Sequence, residues 1–232
     1  MKLASVLLLL TILLVFYSIS NVSPEIRLLG DNSPEKTGTS NTSTVSIAGV
    51  DNQGKGVMAK IRVTVEQGTG EVLIDINDVL FLADTQQSIR IARSVSEALT
   101  KKTGVNYIYE IKEVSAVAGG PSAGLPLTVA TMAALENKTI PEWVLMTGTI
   151  DQNGNVGRVG GVPEKTKAAK EKGFKRVIVP RGQAVFQSTE KKTICDTVCS
   201  DFYVQTTRNL NEIGIEVIEV GNIEEALKYV FN

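Results

Sequence analysis

The sequence predicts an α+β fold, and three observations predict it. Short runs that alternate apolar and polar residues open the region from about residue 45 onward. Segments with apolar residues at every third or fourth position follow them. In the second half, strand-like and helix-like segments interleave. A layered α/β sandwich would satisfy the same pattern, so the periodicity alone leaves both open.

Thr44 to Val50 (TVSIAGV) alternates and reads as a strand, as does Met58 to Val65 (MAKIRVTV). A turn at Gly68-Thr-Gly70 leads to a third strand, Glu71 to Ile76. Thr85 to Lys101 carries Ile89, Ala92, Val95 and Leu99 at helical spacing, with Lys101 and Lys102 at its end. Tyr107 to Val114 reads as a strand, Ser122 to Glu136 as a strongly apolar helix, and Trp143 to Thr149 as a strand. Asp151-Gln-Asn-Gly154 is a turn signal. Pro163 to Lys172 forms a helix stopped by Gly173, and Arg176 to Pro180 a strand. Residues 181–205 show no regular period. Thr206 to Ile213 reads as a helix, Glu216 to Val220 as a strand and Ile223 to Val230 as a closing helix. No internal repeat is present.

The first 20 residues stand apart from this pattern. After Lys2, the stretch Leu3 to Ile19 holds no charge. It is a secretory signal peptide or a membrane anchor: the run is long for a signal peptide and short for a span. Ser18-Ile-Ser20 offers small residues at the spacing of a cleavage site. Lys2 on the N-terminal side sends the remainder out of the cytoplasm. The chain is therefore expected either membrane-anchored with an extracytoplasmic domain, or secreted. Residues 21–44, rich in Ser, Thr, Asn, Gly and Pro, read as a polar linker.

Composition narrows the chemistry. Of 232 residues, 24 are Lys or Arg and 25 are Asp or Glu, for a net charge of −1. Without a basic surplus, nucleic acid is not an expected partner. The chain has no histidine at all. A Ser-His-Asp triad, a Cys-His dyad and a histidine-bound metal are excluded, so acid–base work near neutral pH falls to a perturbed Lys, Asp or Glu. Two cysteines cannot complete a four-thiolate metal site, and no cofactor or metal is expected.

Two glycine-rich segments carry the candidate chemistry. Gly119-Gly-Pro-Ser-Ala-Gly124 precedes the apolar helix and sets Ser122 at a helix start. Unpaired N–H groups and the positive end of the helix dipole meet there, so a nucleophile would have oxyanion donors at hand. Serine at a helix start is also ordinary capping chemistry. With no histidine to activate it, Ser122 needs a lysine whose pKa desolvation has lowered from about 10.4 toward 7–8. Lys165 opens a short helix behind Gly160-Gly-Val-Pro-Glu164 and is the candidate, although it would read equally well as a solvated lysine like its neighbours Lys167, Lys170 and Lys172.

Together, GGPSAG, MTGTI and GNVGRVGGVPEKTKAAKEKGFKRVIVP resemble the proteolytic domain of Lon proteases, strongly over about 115–180 and more weakly over 45–115. The resemblance implies the Lon proteolytic-domain fold (ribosomal protein S5 domain 2-like) for residues 45–232. It matches Ser122 to the family's nucleophile and Lys165, 43 positions later, to the general base of a Ser-Lys dyad. Thr147 matches the threonine that positions the lysine. Gly120 and Ala123 flank the nucleophile, where backbone N–H groups would hold an oxyanion, and Glu113 aligns with an acidic residue of the family. The implied activity is that of a serine endopeptidase acting on polypeptides through an acyl-enzyme, assembled as a homo-oligomeric ring. Two departures stand out. The family's Thr-Gly-Glu is Thr147-Gly-Thr149 here, and the Asp often found ahead of Gly-Pro-Ser is missing. No Gly-x-x-x-x-Gly-Lys-Ser/Thr loop occurs either, so the expected activity is ATP-independent.

Two rival readings remain. A catalytically silent scaffold of the same fold would keep the pattern without the chemistry. A small-molecule kinase of a related fold would use Gly119–Gly124 as a phosphate loop. Cys195 and Cys199, four apart, form either a small-loop disulfide outside the cytoplasm or two free thiols. The 184–207 segment holding them is longer than the corresponding connection in Lon domains and would serve as a lid or a partner surface.

Overall fold

A helix that is apolar on every side must be buried on every side. Gly124–Glu136 is such a helix, and the domain is built around it. The computed structural model describes residues 40–75, 83–112, 120–196 and 198–231. Its first sheet holds β1 (Asn41–Val50), β2 (Gly56–Gln67), β3 (Val72–Asp75) and β4 (Val105–Lys112) in the order β1-β2-β4-β3. All neighbours are antiparallel except β3, which runs parallel to β4. The strands' period-2 pattern turns Val45, Ile47, Ile61, Val63, Tyr107 and Tyr109 to one buried face. β1 starts at Asn41, inside the stretch expected as linker, because residues from Asn41 onward already pair with β2.

Helix α1 (Ala83–Thr100) packs on α2 (Gly124–Glu136), and every residue of α2 from Gly124 to Leu135 is buried. The two threonines this places in the core are satisfied locally, Thr128 Oγ1 donating to Gly124 O at 2.9 Å and Thr131 Oγ1 to Leu127 O at 2.8 Å. On α1, Ile89, Ala92 and Val95 are buried as the spacing requires, but Leu99 is exposed. Ser96 takes the inward place instead and donates to Thr128 O on α2.

A second, all-parallel sheet contains β5 (Val144–Met146), β8 (Arg176–Pro180) and β11 (Glu216–Val220) in the order β11-β8-β5. A two-residue pair, β6 (Thr149–Ile150) and β7 (Val156–Gly157), precedes α3 (Val162–Glu171), and α4 (Ile223–Phe231) closes the chain. The segment Trp143 to Thr149 is therefore not one strand. It breaks at Thr147-Gly148, and that break shapes the site.

The largest difference from the sequence reading lies at 185–209. The stretch expected to be irregular and then helical is a hairpin of β9 (Val185–Cys195) and β10 (Cys199–Asn209). Thr189, Thr193, Phe202, Tyr203, Val204, Thr206 and Thr207 favour extended backbone, and Cys195 and Cys199, opposite each other in the register, are joined by a disulfide. The expected helix shrinks to a 3-10 turn, Leu210–Ile213, started by a capping box between Asn209 and Glu212. Both hairpin faces are largely exposed, so no single buried face imprints a clear period on it.

Among the described residues, no helix is long and apolar enough to cross a membrane. Residues 1–39 lie outside the described set, as does Glu113.

Candidate active site

Ser122 does not cap the long helix. It sits in a 3-10 turn, Pro121–Ala123, that leads into α2, and Ala123 is the residue preceding the helix. Gly120 enters the turn at φ 114°, a conformation that side-chain-bearing residues avoid. Gly124 lets the turn approach β6, since a Cβ there would lie 2.8 Å from Ile150 N. Ser122 is half-buried, while Ala123 is buried.

The break between β5 and β6 is stitched to this turn from both sides. Thr147 N donates to Ile178 O on β8 at 3.0 Å, holding the break to the second sheet. Gly148 N donates to Ser122 O at 3.0 Å, and Leu125 N donates to Gly148 O at 2.9 Å. A continuous strand would have spent these groups on a neighbouring strand. The interruption spends them on the turn that carries Ser122, and it leaves the Thr147 side chain between two elements.

Lys165 arrives from the opposite direction. It lies in the first turns of α3, behind Gly161 at φ 67°, where a Cβ would collide with the Val50 side chain. Its own N–H donates to Gly161 O at 3.0 Å. Lys167 and Lys170, on the other side of the helix, are exposed, but Lys165 is only 4% exposed. Its Nζ donates to Thr147 Oγ1 at 3.2 Å, and Thr147 Oγ1 donates to Ser122 O at 3.5 Å. No ion pair to Lys165 exists among the described residues. Burial without a compensating charge disfavours the ammonium form and lowers the amine from its ordinary 10.5 to about 8. A lysine with that pKa is uncharged in about a tenth of molecules at pH 7, against fewer than one in a thousand for an ordinary one.

The structure thus brings Ser122, Thr147 and Lys165 together, with Gly120 and Ala123 in the turn that presents the serine. Glu113 falls outside the described residues. Thr149 stands where the family pattern has a carboxylate, half-buried on β6. Among the described residues, no three His, Cys, Asp or Glu side chains cluster as a metal site would need.

One residue of the site's support is not legible in the sequence. Gln183 lies between β8 and the hairpin. Its amide reads the backbone of Val159 from both ends: Val159 N donates to Gln183 Oε1 at 2.9 Å, and Gln183 Nε2 donates to Val159 O at 2.8 Å. Arg158 Nη1 adds a bond to Gly182 O at 3.2 Å. Together they clamp the segment that leads into α3, and so into Lys165. The partners are 24 residues apart, and nothing local marks a glutamine as a clamp.

Comparison with known proteins gives the family. The model of the Lon protease C-terminal proteolytic domain matches residues 52–220. The chain belongs to that family. Among similar relatives, the Lon protease of Fervidobacterium nodosum is 32% identical over 169 residues, covering 69% of this chain and 20% of that protein. The Lon protease of Mesomycoplasma hyopneumoniae is 31% identical over 135 residues, 54% of this chain and 15% of its own length. That of Clostridioides difficile is 32% identical over 133 residues, 54% of this chain and 17% of its own. This Lon-family chain therefore spans about a fifth or less of these relatives.

Proposed function

We propose that this chain is a serine endopeptidase that hydrolyses polypeptides by a Ser122–Lys165 dyad. The observation that carries the reading is the buried Lys165 amine, lowered to about 8 and tied through the Thr147 hydroxyl to the backbone of Ser122. Family membership supports it.

In this reading, neutral Lys165 takes the proton of Ser122 Oγ as the oxygen attacks the scissile carbonyl carbon. The carbonyl oxygen becomes an oxyanion held by backbone N–H groups of the Gly120–Ala123 turn. The ammonium of Lys165 then gives its proton to the departing amine, leaving an ester on Ser122. Water, deprotonated by the same lysine, attacks the ester, and the returning proton restores Ser122. Thr147 holds the amine in place and takes no proton. No step needs a nucleotide, consistent with the absence of a phosphate-binding Gly-x-x-x-x-Gly-Lys-Ser/Thr loop from these 232 residues.

Residues 1–20 support a tethered or secreted location outside the cytoplasm, and the family supports a homo-oligomer. The deciding experiment is acylation by a serine-directed probe, followed by mass mapping, beside cleavage of an unfolded protein. Wild type should be labelled at Ser122 and should cleave, and Ser122→Ala and Lys165→Ala should do neither. A wild-type protein that folds but takes no label would instead be the silent scaffold.

A further inference from the structure

All four helices end at the same pole of the domain. Lys102, just past α1, donates from Nζ to Leu135 O in the last turn of α2 at 2.6 Å. Lys138, just past α2, holds its Nζ 5.4 Å from the ring centre of Phe231 at the end of α4. Lys172–Phe174, past α3, line a groove together with Thr139–Val144. Lys175 N donates to Trp143 O at 2.9 Å, and Arg176 Nη1 donates to Tyr229 O on α4 at 2.6 Å. Ser122 and Lys165 sit where α2 and α3 begin, so the proposed site lies at the opposite pole, roughly 20 Å away along the 13 residues of α2.

The pole where the helices end carries side chains that folding does not explain. Leu99, Trp143 and Tyr229 are exposed there. Trp143 is the single tryptophan of the chain, and the Arg176 guanidinium lies 5.1 Å from its ring centre. Lys101, Lys172 and Lys175 are exposed around these rings and form no ion pair among the described residues. A lysine at a helix C-terminus complements the helix dipole, which accounts for Lys102 on Leu135 O, but aromatic rings held in water gain nothing from a dipole. Of the nearby carboxylates, Glu136 is held by Lys138 at 2.7 Å and Glu216 by Arg176 at 2.8 Å. Glu142 and Glu171 remain exposed, so the charge is mixed and the apolar contact falls to the rings.

The chain also enters the domain at this pole. Asn41, the first residue of β1, stands opposite Val65 on β2, and Val65 stands opposite Tyr107 near the start of β4, the strand that follows Lys101 and Lys102. Thr42 and Thr44 line the same groove as Thr139–Val144. A tether running from residues 1–20 to Asn41 therefore pulls on this pole and not on the pole of the site. The other exposed apolar surface is the 185–209 hairpin, with Ile194, Val198 and Tyr203. It starts beyond Pro180, where β8 has left the Trp143 pole, and Arg181 there bonds Glu225 in the first turn of α4 at 2.7 Å. Asp196 and Asp201 lie among its exposed apolar residues.

We propose that the pole bearing Trp143 and Tyr229 rests on a lipid bilayer, with both rings at headgroup depth and Lys101, Lys172 and Lys175 on anionic lipid phosphates. This rests on the reading of residues 1–20 as a retained membrane anchor. Tryptophan and tyrosine suit that boundary, because an apolar ring enters the lipid while its N–H or O–H stays wet. The lysine stems cross apolar surface and keep the ammonium in water. Two rings and three lysines make a weak surface alone. The anchor makes the contact intramolecular, so a weak surface suffices. The consequence is an orientation: the Ser122 pole lies away from the bilayer, on the side where polypeptides in the surrounding water arrive.

The test uses the full chain reconstituted in vesicles of phosphatidylcholine and phosphatidylglycerol, with Trp143 as the native reporter. Flotation on a density gradient reads the anchor first. Trp143 fluorescence should then be quenched by lipid spin-labelled near the headgroup, and less by lipid labelled at the end of the acyl chain. A chain carrying Trp143→Phe and Tyr203→Trp moves the reporter to the hairpin, where quenching should be roughly a third as strong or less. Lys101→Gln, Lys172→Gln and Lys175→Gln together, all at exposed positions, should about halve the quenching of Trp143, as should high salt. A thermal melt shows that this triple variant is folded. Stronger or equal quenching at the hairpin, no quenching of Trp143 in a chain that floats, or undiminished quenching in the folded triple variant overturns the proposal and leaves the anchor standing. A chain that does not float removes the anchor, and the proposal with it.

Discussion

Lys165 Nζ stands 3.2 Å from Thr147 Oγ1, and the same hydroxyl reaches the carbonyl oxygen of Ser122 at 3.5 Å. One side chain thus ties a helix of one layer to the turn of another. In the proposed mechanism Thr147 is a positioning residue. Thr147→Val should lower kcat by about ten- to a hundredfold with little change in KM, because a misplaced base loses proton-transfer geometry. It should also move the pH profile to lower pH, since the ammonium form loses its hydrogen-bond acceptor. Thr147→Ser should restore both. A Val variant with the wild-type profile would mean that the threonine is only packing.

The amine's lowered pKa fixes the direction of the activity profile. Only the neutral lysine accepts a proton, so kcat/KM for an unfolded substrate should rise with pH along a limb centred near 8. Lys165→Arg keeps a positive charge and cannot deprotonate, so it should be inactive across the range. A limb near 10 would show the lysine to be solvated.

Stability should respond to the same burial. The folded amine titrates near 8 and the unfolded one near its ordinary 10.5, so between those values the unfolded chain binds more protons. The burial cost of this lysine is therefore fully present below that window and is relieved as pH rises through it. Lys165→Met, of similar volume and uncharged, should be more stable than wild type at pH 7, by up to about 3 kcal/mol. The advantage should shrink by pH 10. Thermal melts of the two proteins at both values measure it.

Gln183 should matter for catalysis without touching a substrate. Gln183→Ala frees both bonds to Val159 and loosens the entry to α3. A fall in kcat of roughly tenfold is expected, because a small displacement of the base is costly. Gln183→Glu retains the acceptor toward Val159 N but sets a carboxylate against Val159 O, so it should not rescue. Unchanged kcat in both variants would remove the clamp from the site.

The legible parts of this protein are those that local chemistry imposes. The apolar run from Leu125 to Leu135 dictates a buried helix whatever surrounds it, and the absence of histidine by itself leaves base chemistry near neutral pH to a perturbed Lys, Asp or Glu. Gly120 and Gly161 mark backbone that only glycine adopts readily, and glycine-rich segments are what singled out the serine and lysine stretches as candidates, with the family resemblance needed to choose between their readings. Tertiary structure decided the rest, because those features join residues far apart in sequence. The break at Thr147-Gly148 exists because Ile178 and Ser122 draw its backbone in two directions. Gln183 clamps because Val159 lies beside it, and the 185–209 segment pairs with itself, where no buried face imprints a period. The burial that separates Lys165 from Lys167 depends on which side of one helix faces the protein, and only the packing of α3 on its neighbours settles that.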